Sequence, residues 1–412
     1  MWKTAYLPLL LASVLACSCA PPPRTSAVVK TEVTLTNYPG DRLVAIKEAY
    51  RKGEPVTTAA LEATLRRADE ELNGEIYTIV HKEVLPPSGN PNDYISLGPY
   101  WWPDPDQPDG LPWIRRDGEV NPLTQGERSD KSQQNAFARG VSALAYAAYF
   151  TDKDVYRRRA ETLIRAFLID PKTKMNPHLE YAQGIPGRNS GRCFGIIELT
   201  DVVGMVTSLE VLDLAGLDPE VKAGTDEWLA AYLHWLQTSK LGVEEKEREN
   251  NHGTWYDAQV LSMLIHLGQT KEAGRVAETV KRRIDTQIEP DGAQPHELAR
   301  TKSLSYSTMN LRAFTTLAYL AGTVGVDLWN YSSPRGGSIP KAYAYLEPYA
   351  RGEVEWTQPQ LGDLATALYG TRELFAEAGS LFGDKEFCAV PRPSSPAPDL
   401  DRLIYACETA PR

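Results

Sequence analysis

Cysteine is sparse in this chain. Five residues in 412 are too few for a disulfide scaffold, and none has the Cys-x-x-Cys or Cys-x-x-His spacing of structural zinc. A basic excess is also missing: 44 Lys and Arg stand against 54 Asp and Glu, a formal net charge of −10. That balance excludes the basic face of a nucleic-acid binder, and it sits awkwardly with a polyanionic ligand. Strand-like alternation is scarce, with Val28–Leu35 the best short case. No fixed-period repeat marks a solenoid, and no Rossmann or barrel alternation of strands and helices is present. Beyond the first twenty residues, no apolar run is long enough to span a bilayer. What remains is an ordinary folding composition, 42% hydrophobic and 24% charged, in a chain long enough to bury a large core unaided.

Residues 1–19 read as an address. Lys3 precedes an apolar run from Ala5 to Ala16 that ends in Val14-Leu15-Ala16-Cys17. The layout resembles a bacterial lipoprotein signal, with Cys17 lipidated after cleavage and Cys19 as the alternative acceptor. An ordinary secretory signal stays open, and both readings export the protein to the periplasm or an outer-membrane anchor. The only membrane contact expected is that lipid. Residues 20–38, opening on Pro21-Pro22-Pro23, read as a tether. Residues 39–385 read as the folded domain and 386–412 as a Pro-rich tail. Cys193 reads as a buried free thiol. Cys388 and Cys407 flank the tail, and their pairing is left open, since sequence does not show their geometry.

The body reads as helices. Apolar residues recur at helical spacing in 134–150, 155–169, 195–214, 220–236, 255–267, 270–288, 303–321, 340–349 and 361–381, with one or two more helices over 57–85. About ten helices with short links make an all-α domain. Three long irregular segments interrupt them: 86–129, 170–192 and 289–302. Loops of such length in a compact domain are functional or disordered. Their Trp, Tyr, Asn, His and Arg content argues for a cleft holding an extended ligand.

Four motifs carry chemistry. Asn250-Asn251-His252-Gly253-Thr254-Trp255-Tyr256 opens an apolar helix. Asn suits the cap, and a helix N-terminus favours a neutral imidazole that can accept a proton. The plain alternative is a capping pair with a structural His. His296-Glu297-Leu298-Ala299-Arg300, followed by Tyr306, places a carboxylate-binding fork beside a phenol that can exchange protons; a surface Arg and a packing Tyr are the alternative. Tyr100-Trp101-Trp102, then Trp113 and Arg115-Arg116, put aromatic faces and cations in one loop, either as sugar platforms or as that loop's own core. Asn176-Pro177-His178-Leu179-Glu180-Tyr181-Ala182-Gln183, running on to Arg188 and Arg192, has the composition of a binding loop. Gln133 and Asn135, at the start of the first strong helix, are candidates for the same cleft. His81, His234 and His266 lie in expected helices without motif partners and read as structural or surface residues.

In this order the motifs resemble the alginate lyase family of polysaccharide lyases. The Gly-Pro-Tyr-Trp-Trp-Pro-Asp-Pro and Asn-Pro-His-Leu-Glu-Tyr-Ala-Gln loops are similar to those of its exported relatives. The resemblance spans about residues 39–383. It implies an incomplete (α/α) toroid with long aromatic-rich loops lining a cleft, and β-elimination on a uronic-acid polymer without metal or other cofactor. Asn251 and Arg300, with Asn250, would neutralise the C5 carboxylate. His252 or Tyr306 would remove the C5 hydrogen, and Tyr306 would protonate the departing O4. His178, Tyr181, Gln183, Arg188, Arg192, Gln133, Asn135, Tyr100, Trp101, Trp102, Arg115 and Tyr256 would contact substrate. Alginate or poly-mannuronate is the expected polymer, with glucuronan next. Arg300 and Tyr306 are six apart, one fewer than in the better-known poly-mannuronate enzymes, which implies an adjusted helix start and leaves the substrate open.

Two other classes remain compatible with the residues. A glycoside hydrolase on a helical toroid needs two carboxylates across one bond, and Asp104, Glu180, Glu198 and Glu297 are candidates. A non-catalytic glycan-binding lipoprotein would leave Asn251, His252, Arg300 and Tyr306 without a shared purpose. The lyase reading localises the charge tension. Arg115, Arg116, Arg188, Arg192, Arg300 and Lys302 fall in the irregular segments, and the acidic run 244–249 is expected away from the cleft.

Overall fold

In a computed structural model, residue 1 and residues 33–126, 129–392 and 399–407 are described. The signal and Cys17, the first part of the tether, Glu127-Arg128 and the tip of the tail lie outside the described residues. Val33–Arg412 forms one compact unit.

Helices dominate. In chain order they are α1 (Gly40–Arg51), α2 (Pro55–Leu72), α3 (Lys131–Thr151), α4 (Asp154–Ile164), α5 (Val202–Leu214), α6 (Pro219–Thr238), α7 (Lys240–Lys246) and α8 (Asn251–His266). Then follow α9 (Thr270–Gln287), α10 (Pro295–Leu298), α11 (Ser303–Thr323), α12 (Ile339–Arg351), α13 (Leu364–Phe382), α14 (Lys385–Cys388) and α15 (Leu400–Ile404). Four short strands lie in the irregular segments: β1 (Ile95–Leu97), β2 (Trp101–Trp102), β3 (Ile114–Arg115) and β4 (Tyr181–Gly184). β1 pairs in parallel with β4, and β2 antiparallel with β3.

An inner layer runs α3, α5, α8, α11, α13, each packed on the next. α4 packs outside α3, α6 and α9 outside α8, and α12 outside α11 and α13. The sequence encodes this division. On α9, Ala273, Ala277, Val280 and Ile284 are buried while Arg275, Glu278 and Arg282 are exposed, the single stripe of an outer helix. On α8 almost every residue after the first turn is buried up to Leu264, as an inner helix flanked on both sides requires. The fold is the expected all-α, incomplete (α/α) toroid. Among the described residues, no helix is long and apolar enough to cross a membrane, and no group of side chains could hold a metal ion.

Several expected boundaries move. Of the one or two helices expected over 57–85, one forms and it stops at Leu72, where Asn73-Gly74 and the β-branched run from Ile76 disfavour its continuation. The 195–214 segment begins as a tight 3-10 stretch, Cys193–Leu199, before α5. No strand covers 33–35. The end of the tether belongs to the domain: Leu35 and Tyr38 are buried, and Asn37 Nδ2 donates to Val203 O at 2.9 Å. The tail folds back, with α15 against α1 and α2, and Cys388 and Cys407 form a disulfide. Cys193 is free and buried, as expected.

Candidate active site

The chemistry gathers where the inner helices α8 and α11 begin. Asn250 caps α8, its Oδ1 accepting from His252 N at 3.3 Å. A carboxylate from α10 completes that end: Glu297 accepts from Asn251 N at 2.6 Å and from Asn251 Nδ2 at 2.8 Å. A negative group there complements the helix dipole and two otherwise unpaired donors. Burial nonetheless raises the Glu297 carboxyl above its ordinary range, against the lowering effect of Asn251 and Arg300. Asn251 is fully buried, with its amide nitrogen turned to Glu297.

His252 follows. Its Nδ1 meets Glu245 Oε1 at 2.6 Å, and Phe194 stands edge-on to its ring at 4.8 Å. Glu245 lies on α7 in the acidic run expected to sit away from the cleft. It is instead fully buried against the imidazole, because α7 packs directly on α8. That expectation is corrected: Glu245, at least, belongs to the site.

Arg300 and Tyr306 come together across the start of α11. Gln360 Oε1 accepts from Leu304 N and Ser305 N, capping the helix from a distant segment. With that end pinned, the Arg300 guanidinium lies over the Tyr306 ring at 3.8 Å, and Nη2 donates to the Tyr306 hydroxyl at 2.8 Å. Tyr306 in turn donates to Tyr100 Oη at 2.9 Å. Burial, then Tyr100, pushes the Tyr306 phenol well above its ordinary range, and Arg300 only partly opposes this. The Tyr306 hydroxyl therefore keeps its proton at neutral pH.

Asp117 was not foreseen. It accepts from Arg300 Nε at 3.1 Å and Nη2 at 2.7 Å, and from Arg115 Nη2 at 2.6 Å. Burial opposes its charge, yet Arg300 holds its carboxyl well below the usual range. Gly118 permits the approach, because its φ is +78° and a Cβ there would collide with Thr301. Arg300 has five N–H donors. Asp117 and Tyr306 occupy Nε and Nη2, which leaves the two N–H groups on Nη1 without a hydrogen-bond partner among the described residues.

The aromatic loop supplies both readings weighed for it. Trp113 is buried core. Trp101 and Trp102 are half-buried and carry cations on their faces: Arg188 lies 5.2 Å and Arg192 5.9 Å from the Trp101 ring, and Arg116 4.9 Å from Trp102. Gln183 orients Arg192, accepting from its Nη2 at 2.6 Å and its Nε at 3.1 Å. Burial lowers the Arg192 pKa to about 10. Arg192 and Arg248 also flank Phe194, at 4.8 and 4.6 Å, which links this cationic cluster to His252.

Other expected contacts belong to the framework. Tyr256 is buried and donates to Leu236 O at 3.0 Å, so its phenol is spent inside the core. His178 uses both ring nitrogens, accepting from Glu180 N at 3.4 Å and meeting Asp93 at 3.0 Å. Gln133 Oε1 accepts from Thr78 N at 3.4 Å, which ties α3 to the segment after α2. Asn135 stands near Gln125, Ser129 and Arg139. Tyr181 is half-buried beside His178. His81 lies in a turn, whereas His266 is an interior histidine between two carboxylates. The carboxylates suited to a hydrolase are also engaged: Glu180 by Trp235 Nε1, Glu198 by Tyr94 and Ser96, Glu297 by Asn251, and Asp104 by the turn at Asp106.

The comparisons bear on the family and the fold. The family described as alginate lyase matches residues 78–356. A solved alginate lyase from Bacteroides ovatus is 33% identical and superposes with a TM-score of 0.87 over 91% of this chain and 100% of its own. A variant of alginate lyase A1-III of Sphingomonas species A1, solved with a tetrasaccharide, is 17% identical, with a TM-score of 0.54 over 86% of this chain and 96% of its own, and shares the fold. No curated protein sequence matches the chain. The chain belongs to the alginate lyase family and is a polysaccharide lyase.

Proposed function

We propose that this lyase cleaves a uronic-acid polymer by β-elimination, with alginate or poly-mannuronate as the leading substrate and glucuronan second. The observation that carries the reading is the pairing of two proton-handling groups with one cation at the adjacent starts of α8 and α11. His252 keeps Nε2 without a protein partner among the described residues, and Tyr306 holds a proton beside Arg300. The two N–H groups on Arg300 Nη1 would take the C5 carboxylate and stabilise charge developing on it. His252 Nε2 then accepts the C5 hydrogen as a proton. The C–H electron pair becomes the C4=C5 double bond, the C4–O4 bond breaks, and Tyr306 gives its proton to O4. Asn251, buried and bonded to Glu297, acts by holding the start of α8. Arg188, Arg192, Trp101, Trp102 and Tyr100 are the substrate contacts this reading retains.

The substrate class also draws on the relatives, since the Bacteroides ovatus protein is an alginate lyase. Export, with a lipid anchor on Cys17, is part of the proposal. The Cys388–Cys407 bond supports an oxidising compartment. The test is incubation with alginate, mannuronan, guluronan, glucuronan and chondroitin, following ultraviolet absorbance of the unsaturated product. New reducing ends without that absorbance would mean hydrolysis, and binding without cleavage would mean a glycan-binding protein.

A further inference from the structure

The acidic run 244–249 brings one member, Glu245, to a place the sequence did not foresee. Its side chain is fully buried. Oε1 is spent on His252 Nδ1 at 2.6 Å, and Oε2 has no hydrogen-bond partner among the described residues. A buried carboxylate with half its capacity unused is costly to keep unless its contact does something specific. The helix that carries it is seven residues long and packs against both α8 and the Cys193–Leu199 segment. Glu245 therefore approaches the imidazole from behind, and Phe194 holds the ring edge-on.

We propose that Glu245 is the positioning residue that makes His252 the base: it fixes the Nδ1–H tautomer, leaves Nε2 as the acceptor, and stabilises the imidazolium once the C5 proton has arrived. The proposal rests on the reading in which His252 removes the C5 hydrogen, and it divides the labour between His252 and Tyr306. A carboxylate on one imidazole nitrogen dictates the state of the other. Tyr306 is already committed as a donor, its proton directed at Tyr100 and its ionisation opposed by burial. The base must then be the other group. The charges around His252 are Glu245 from α7, Glu297 from α10, and the guanidinium groups of Arg192 and Arg248 over Phe194, with the Cys193 thiol beside Arg248. Burial keeps that thiol neutral, raised to about 11. Of these groups, Glu245 alone bonds the ring.

The experiment uses the full chain and two readouts. Nitrogen-15 NMR of the wild-type histidines should show His252, assigned with His252→Ala, protonated at Nδ1 and bare at Nε2; protonation at Nε2 in the neutral ring overturns the proposal. Kinetics on the cleaved uronate polymer should show Glu245→Gln lowering kcat roughly 100-fold or more with KM within about three-fold, the signature of a group acting on the chemical step. The acid limb of its kcat–pH profile should move to lower pH, because the imidazolium loses its anion. In a His252→Ala background the same substitution should cost nothing further, and an undiminished loss there would mean a merely structural role. Failure of the wild-type chain to form unsaturated product defeats the substrate reading alone, since the NMR result still decides the tautomer.

Discussion

Asp117 and Arg300 share two hydrogen bonds, at 3.1 and 2.7 Å, so the carboxylate offsets the charge of the guanidinium. The cation expected to meet a substrate carboxylate already faces one from the protein. Asp117→Asn should raise the net positive charge at Arg300 while leaving the β2–β3 loop in place. Both partners are largely but not fully buried, so the gain should be modest, roughly two- to five-fold in KM at low salt, as for a charge pair worth ~0.5–1 kcal/mol. Steady-state kinetics at two ionic strengths check this, and the difference should shrink with salt.

On the proposed mechanism Tyr306→Phe removes the proton destined for O4 and should lower kcat by about 10²–10⁴, the range of a general acid. Tyr100→Phe keeps that proton and removes only its acceptor, so its loss should be much smaller. Equal losses in the two variants would show that the proton chain is misassigned.

Glu297 accepts from both donor nitrogens of Asn251, the backbone N and Nδ2. Glu297→Ala should lower stability by about 1–3 kcal/mol, the cost of leaving buried polar groups unpaired. Because the same carboxylate anchors the start of α8 beside His252, kcat should fall as well. Denaturant unfolding of the variant, followed with kinetics below its transition, separates the two effects.

His266 is buried between Glu210 at 2.9 Å and Asp226 at 3.2 Å. Burial alone would lower its pKa, but the two carboxylates outweigh this and raise it. The folded state thus binds the proton more tightly than the unfolded chain, whose histidine titrates near ~6.5. The stabilisation is complete below that pH and is lost as pH rises through the higher folded value. The melting temperature should decline over that alkaline-going window, and His266→Gln should flatten the decline.

The Cys388–Cys407 bond closes a segment of sequence separation 19. Loop-closure entropy makes such a bond worth about 3 kcal/mol. Cys388→Ser with Cys407→Ser should lower the melting temperature and leave kcat unchanged, because the bonded segment packs on α1, α2 and α13. A loss of turnover at a temperature where the variant is folded would contradict that separation.

Local periodicity was enough to recognise most of the helices and the all-α class, because an amphipathic or fully apolar stripe is written in adjacent residues. That Asn250, Asn251, His252, Arg300 and Tyr306 lie at or near helix starts was legible for a similar reason, because helix starts leave local signatures. Asp117 and Glu245 were not. Asp117 reaches Arg300 across 183 positions, and nothing around it announces that contact. Glu245 lies only seven residues from His252, yet it is indistinguishable in sequence from the acidic residues beside it until α7 turns it inward. Tyr256 erred in the opposite direction, since a phenol next to a motif is as easily core as cleft. The sequence by itself determined most of the helices, the order of the motifs and which side chains are candidates to handle a proton. Only the tertiary structure decided which carboxylates accompany them, because a charge's partner depends on which helices pack together, and packing is a property of the whole chain.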